Sequence, residues 1–303
     1  MTRRCCLLSV IVLWTFSSYA GMVYADTTLP EAVRKKIDSI FDGQKGTFAL
    51  AFKELGTGVA FFIHEQETFH AASTMKTPVL IEIYHQVALG RLTLSDSLVL
   101  KNEFTSIADG SSFHLSPEDD SEQELYKHIG ERRSISQLVY LMITVSSNFA
   151  TNLLIDKATP KNIAAMLEEL GATDVRVLRG VEDNAAYQRG MNNTVTANGL
   201  ATIFEKMAKG AAVSPAASAA MIRILLDQQY NEIIPARLPA GVKVAHKTGW
   251  IKGIHHDGGI VFLPDGRKYV LVLLSKDTDD DKAAIAAMAA VSEILYNYVN
   301  KRS

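Results

Sequence analysis

Apolar positions along this chain fall into two rhythms, one at each end and another through the middle. Val33, Ile37, Ile40 and Phe41 recur at the spacing of one helix face, behind Pro30 and Glu31, which suit a first helical turn. The rhythm then shortens. Gly46 to Phe52 and Val59 to His64 are short β-leaning runs joined by Gly56-Thr57-Gly58, and together they predict a hairpin. From about Ser73 to Leu226 the helical period takes over. It predicts helices over Pro78 to Leu89, Ile135 to Asp156, Ile163 to Leu170, Thr196 to Lys209 and Pro215 to Leu226, the first stopped by Gly90 and the third by Gly171. Strands return at Val242 to Thr248, Gly258 to Phe262 and Tyr269 to Ser275, the last two separated by the turn Pro264-Asp265-Gly266. An Ala-rich helix, Lys282 to Val299, closes the pattern.

This order predicts an α+β fold. One antiparallel sheet is formed from both termini and flanked by the terminal helices, and an all-helical subdomain is inserted into it. The sheet part is expected at about 26–72 and 235–303, the helical part at about 73–234. A cleft between the two is a natural place for a site. Lys101 to Arg133 fits no element: it is long, polar and broken by Gly110, Pro117 and Gly130. Such loops are often lids or binding loops, and a solvated surface excursion is the alternative.

The first residues bear on compartment. Arg3 and Arg4 precede a mostly apolar run, Cys5 to Phe16, followed by small residues ending at Ala20 and at Ala25. This is the build of a signal peptide spanning 1–25, and it predicts an exported protein, periplasmic or secreted. The run is shorter than the roughly 20 apolar residues of a membrane span, so no stable membrane anchor is expected. Cleavage would remove Cys5 and Cys6, the only cysteines, and with them any disulfide, thiol nucleophile or thiolate metal site. It would also take the net charge from -2 to -4. A mildly acidic chain without basic runs argues against nucleic acid as a partner. With 48% hydrophobic residues the chain can build a sizeable core, and a monomer is expected.

Three short motifs carry candidate chemistry. In Ser73-Thr74-Met75-Lys76, at the head of a helix, positions i and i+3 face one side, so a hydroxyl and an amine become neighbours. A serine is a weak nucleophile that needs a base, and a lysine serves once burial or nearby positive charge lowers its pKa. Alone, the tetrapeptide also fits a serine capping a helix that happens to carry a lysine. Ser146-Ser147-Asn148 lies inside an apolar helical stretch, where its polar groups either bond locally to backbone or mark a helix end turned into the cleft. Lys247-Thr248-Gly249 ends a predicted strand. A lysine and a hydroxyl there suit a carboxylate, and the glycine allows close approach to the backbone.

Each pattern occurs once, in that order, on a helix start, a helical interior and a late strand. Together they resemble the three-motif signature of the serine β-lactamase and penicillin-binding protein superfamily. The resemblance spans nearly the whole chain after residue 25. It is nearest to class A β-lactamases, through Met142-Ile143-Thr144 before the second motif and Asn152-Leu153-Leu154 after it. It implies a β-lactamase/transpeptidase-like fold and a serine hydrolase without metal or cofactor. On that resemblance Ser73 attacks the acyl carbonyl, Lys76 helps take its proton, and Ser146 passes a proton to the leaving nitrogen. Asn148 holds the substrate amide, while Lys247 and Thr248 bind its carboxylate. The backbone N–H groups of Ser73 and Trp250, beside Gly249, form the oxyanion hole.

The match departs from class A in four places. Those enzymes carry a glutamate, within roughly Arg-x-Glu-x-x-x-Asn, that activates the deacylating water. Here Glu182 is the candidate, with Asn193-Thr194-Val195-Thr196 resembling the far end of the loop. Yet Arg179 stands one residue too far away, and Ala186 occupies the asparagine position. A solvated loop carboxylate paired with Arg179 is the other reading of Glu182. Ser147 stands where class A enzymes usually have an aspartate, and the stretch between the first two motifs is longer than usual.

Other clusters point elsewhere. His255-His256-Asp257 is expected to be a turn with a polar rim rather than a metal site. Asp277 to Asp281 is expected to be an exposed loop whose last aspartate caps the final helix. Three functions remain: a β-lactamase, a D-alanyl-D-alanine peptidase acting on peptidoglycan peptides, and a penicillin-binding sensor that acylates once.

Overall fold

The computed structural model describes residues 28–301, so the expected signal peptide lies outside the described residues. The chain opens with α1 (Glu31–Asp42), β1 (Thr47–Glu54), β2 (Ala60–Ile63) and the two-residue β3 (Phe69–His70). A 3₁₀ turn, Ala72–Met75, runs straight into α2 (Lys76–Ala88). Four short strands follow: β4 (Ser97–Val99), β5 (Phe104–Thr105), β6 (Ser112–Phe113) and β7 (Arg132–Ser134). The helical region continues with α3 (Ile135–Thr144), α4 (Asn148–Ala158), α5 (Pro160–Leu170), the short α6 (Asn184–Gln188), a strand β8 (Thr194–Val195), α7 (Ala197–Ala208) and α8 (Pro215–Leu226). The chain ends with β9 (Lys243–Ile251), β10 (Ile254–Phe262), β11 (Lys268–Lys276) and α9 (Asp281–Asn300).

The main sheet has the order β2-β1-β11-β10-β9 and is antiparallel throughout, built from both ends of the chain as expected. Its central strands β1, β11 and β10 are buried on both faces, and alternation sorts their side chains between the two. Leu50, Phe52, Leu271 and Leu273 face a core shared with Ile37 and Phe41 of α1 and Met288 and Leu295 of α9. Ala49, Ala51, Val270, Val272 and Leu274 face the helical side, against Met75, Val79, Leu200 and Phe204. The small alanines let the helical layer sit close. Helix α2 runs through that layer with Val79, Leu80, Ile81 and Ile83 fully buried, each worth roughly 1.5–3 kcal/mol.

Four expectations need correction. The helix predicted over Ile135 to Asp156 is two helices, broken at Val145–Ser147. Ser146 takes a left-handed φ of 60°, and the Ser147 hydroxyl caps α4 by accepting from Ala150 N. His255-His256-Asp257 is not a turn but the start of β10. His256 and Asp257 are fully buried there, and Asp257 pairs with His246 of β9 at 2.8 Å. The cap of α9 is Asp280, which accepts from Ala283 N. Asp281 is the first helical residue, with its Oδ1 2.9 Å from His255 Nε2. Lys101 to Arg133 is an ordered segment rather than a bare loop: β5 and β6 form a hairpin, two 3₁₀ turns follow, and β7 pairs with β4. Its polarity hid strands too short to show a period.

His256 ties the sheet to the residues ahead of Ser73, because its Nε2–H donates to the carbonyl of His70 at 2.8 Å. Burial pushes its pKa from an ordinary 6.5 down to about 4. The folded state therefore binds fewer protons than the unfolded chain between those values, and stability falls as pH drops through that window. Between pH 7 and 4.5 this residue should cost on the order of 2 kcal/mol. Urea unfolding of wild type and His256→Gln at both pH values should show a smaller acid loss in the variant; equal losses would refute the assignment.

Candidate active site

The turn bearing Ser73 is held under strain. Ala72, just before it, has φ 44°, a left-handed value costly for a residue with a Cβ. Two hydrogen bonds and a strand pairing hold it there: Ala72 N donates to His70 Nδ1 at 3.1 Å, Thr74 Oγ1 donates to Ala71 O at 2.6 Å, and β3 pairs with β8. From the other side β9 presses in. A Cβ on Gly249 would lie 2.9 Å from Ser73 N and 3.0 Å from Thr74 N. The strand edge at Gly249–Trp250 thus runs against the amides at the start of this turn.

Lys76 follows within the same turn, fully buried at the first position of α2. Its Nζ donates to Ser146 O at 2.6 Å, to Asn148 Oδ1 at 2.9 Å and to Ser146 Oγ at 3.1 Å. Lys247 reaches the same hydroxyl from β9, with Nζ 3.0 Å from Ser146 Oγ and 2.9 Å from Thr248 O. Two amines therefore flank one serine hydroxyl. The Asn148 amide passes the contact on, its Nδ2 donating to Glu182 Oε1 at 2.8 Å. Residues from all three motifs, with Glu182, form one connected network.

Electrostatics follow from burial. Desolvation lowers the Lys76 pKa to about 7, against the opposing pull of Asp120 and Glu182. Lys247 is held well below its ordinary value by burial and then by the charge of Lys76, while Asp257 works against the shift. Burial raises the Glu182 carboxyl, and its bonds to Asn148 and to the Ser116 backbone oppose that rise.

The loop carrying Glu182 is pinned at several points. Asn152 accepts from Val181 N at 2.7 Å and donates to Val181 O at 3.0 Å. Gly180 packs so tightly that a Cβ there would sit 2.5 Å from Asn152 Oδ1. Glu182 itself has φ 62°. It is not a solvated residue paired with Arg179, whose guanidinium donates to Met191 O, Gly180 O and Asn192 Oδ1 instead. Asp183 next door accepts from Ser106 Oγ at 2.7 Å and Ile107 N at 3.0 Å, which ties the 101–133 segment to this loop.

Ser73, half-buried, opens onto a cleft of about 410 Å³ lined also by His70, Asn148, Glu182, Tyr187 and Trp250. Beyond Trp250, which is 70% exposed, a second hollow of about 260 Å³ is lined by Thr248, Gly249, Tyr230 and Glu232. Thr248 and Ser73 thus line separate hollows that have Trp250 in common. Sequence reasoning gave no role to His70, Asp120, Asp183 or Tyr187. Asn152 was noticed only as part of a resemblance, and no spacing rule marks a loop contact of this kind. Among the described residues, no group of three His, Cys, Asp or Glu side chains could hold a metal ion.

The close approach at Gly249 makes a direct test. Gly249→Ala should lose about 1–3 kcal/mol of stability, because the added methyl meets backbone on a turn that cannot move. Gly56→Ala, with nothing within 4 Å of its added Cβ, is the control. Thermal melts should show a lower Tm for the first only; a wild-type Tm for Gly249→Ala would contradict the packing.

Comparison with known proteins agrees with this geometry. The extended-spectrum β-lactamase PER-1 of Pseudomonas aeruginosa is 24% identical over 97% of this chain and 94% of its own. The structure of PBP-A superposes with a TM-score of 0.78 at 26% identity, covering 90% of this chain and 97% of that one. A β-lactamase from Sphaerobacter thermophilus gives a TM-score of 0.75 at 25% identity, covering 89% and 97%. The model of the beta-lactamase enzyme family matches residues 32–299, nearly all that the structure describes, and the chain belongs to that family.

Proposed function

We propose that this protein is a serine β-lactamase that opens the lactam amide through an acyl-enzyme at Ser73. The observation that carries the proposal is the Ser146 hydroxyl set between the amines of Lys76 and Lys247, beside the strained Ser73 turn. Near neutral pH a good fraction of Lys76 is unprotonated and able to take the Ser73 proton as Oγ attacks the carbonyl. The developing oxyanion meets the backbone N–H groups of Ser73 and Trp250. Ser146, fed by Lys247, returns a proton to the leaving nitrogen. Lys247 and Thr248 take the substrate carboxylate, and Asn148 takes the amide of its acyl side chain. Glu182, bonded to Asn148, then draws a proton from the water that cleaves the ester. No step calls for a metal or cofactor. The basic start and apolar run of residues 3–16 support export to a periplasm or the medium.

A second reading is a D-alanyl-D-alanine peptidase or a penicillin-binding sensor. The likeness to PBP-A supports it, since a variant of that protein is described as an acyl-enzyme complex with penicillin G. Ser147, in place of the usual class A aspartate, points the same way.

Intact mass against time with a penicillin separates these readings. A β-lactamase gives an adduct that appears and decays while penicillin is consumed, and Ser73→Ala gives none. Glu182→Gln should hold the adduct and slow its decay by about 10²-fold or more. A persistent adduct in the wild type would transfer the assignment to the peptidase or sensor.

Acylation should also report on Lys76. Its neutral form grows as pH passes about 7, so the acylation rate constant should rise through that pH and then level off. Lys76→Arg, charged throughout, should be about 10²–10⁴-fold slower; a flat wild-type profile would remove Lys76 as the base.

A further inference from the structure

The 101–133 segment carries a buried carboxylate that the mechanism above does not use. Asp120 follows the 3₁₀ turn Pro117–Asp119 and is 4% exposed. Its Oδ2 accepts from Phe149 N at 2.7 Å and from the Tyr126 hydroxyl at 2.9 Å, and lies 3.4 Å from Ser147 Oγ. Its other oxygen accepts from Glu122 N at 3.0 Å. Phe149 N is one of the free amides at the N-terminal end of α4, where negative charge is favoured. All four partners are neutral. A buried carboxylate with neutral partners alone is costly unless the surrounding field compensates it.

The placement decides what it can do. Ser147 and Phe149 bracket Asn148, and Ser146 sits just before them at φ 60°. The carboxylate thus grips the turn that presents both Ser146 Oγ and Asn148 to Lys76. This chain has Ser147 where class A enzymes usually carry an aspartate, and Asp120 brings a carboxylate to within hydrogen-bond range of that same side chain. We infer that Asp120 is a positioning residue of the active centre, clamping the Ser146–Phe149 turn from the 101–133 segment and setting the field between Lys76 and Glu182. The charged and titratable groups facing it are Lys76 of α2, Glu182 of the loop before α6, and Tyr126 of its own segment, while the adjacent Asp119 acts on Tyr126 and Glu182 as well. Its charge supports protonated Lys76 and raises the Glu182 carboxyl, so it acts on both halves of the cycle.

This inference rests on the acyl-enzyme reading, and the test separates the two. Wild type, Asp120→Asn and the double variant Asp120→Asn/Ser147→Asp are compared for Tm and for penicillin acylation and deacylation rates against pH. Asp120→Asn keeps an oxygen for Phe149 N and should fold, with acylation at least 10-fold slower. Its acid limbs should move to lower pH in both steps, because Lys76 and Glu182 each lose a negative neighbour. The double variant returns a carboxylate from position 147 and should recover part of the rate and the original limbs. Wild-type rates and limbs in Asp120→Asn would overturn the assignment. So would a loss that is equal at every pH, follows a lowered Tm and is not recovered by Ser147→Asp. If the wild type forms no adduct at all, the acyl-enzyme reading fails and this inference goes with it.

Discussion

Two lysine amines buried on either side of a single hydroxyl set the terms for the rest of this site. Neither ammonium would tolerate that depth without acceptors, and they are supplied by the Ser146 carbonyl, the Asn148 amide and the Thr248 carbonyl. Three carboxylates act on these amines, Asp120 and Glu182 on Lys76 and Asp257 on Lys247. Among the described residues, none of them forms an ion pair with either lysine. That spacing matters: a direct salt bridge would pin Lys76 in its charged form, whereas neutral acceptors satisfy its protons and leave it free to lose one. The carboxylates are close enough to temper the desolvation and too far to cancel it.

The same economy shows in the backbone. Ala72, Ser146 and Glu182 all have positive φ, and each lies at a point where a candidate group must be aimed into the cleft. Such residues persist only where surrounding structure over-determines them. Here the holding contacts come from remote places: His256 of β10 grips His70, Asp120 grips the turn after Ser146, and Asn152 grips the peptide before Glu182. Three of the six non-glycine residues with positive φ among the described residues lie here, and the restraint on them is distributed through the domain.

These features divide by how far a sequence can be read. The sheet from both termini was legible because Gly46 to Phe52, Gly258 to Phe262 and Tyr269 to Ser275 are short β-leaning apolar runs, and the helices were legible from their apolar period. The three motifs were legible because each is a short run of consecutive residues. The break at Val145–Ser147 was legible only in part: Ser146-Ser147-Asn148 allowed a helix end as one reading, but apolar residues flank it on both sides and keep the helical period going. His256 and Asp257 were misread for the opposite reason, because polar residues inside a buried strand look like a turn until their partners are known. Asp120 was invisible for a third. Its partners at Tyr126, Ser147 and Phe149 follow no fixed spacing, and its own neighbours are polar and exposed.

The central strand pairing has a consequence for how the molecule comes into being. In the register of β1 with β11, Thr47 lies opposite Lys276 and Glu54 opposite Tyr269. The first long strand to be synthesised waits for almost the last, while the helical layer between them is already complete. Contacts of such separation carry a loop-closure cost that local helices avoid, so the helical layer is the natural first unit to fold. Until residues 268–276 are delivered, β1 has no partner for the edge that β11 takes. The sheet therefore closes only when nearly the whole chain is available.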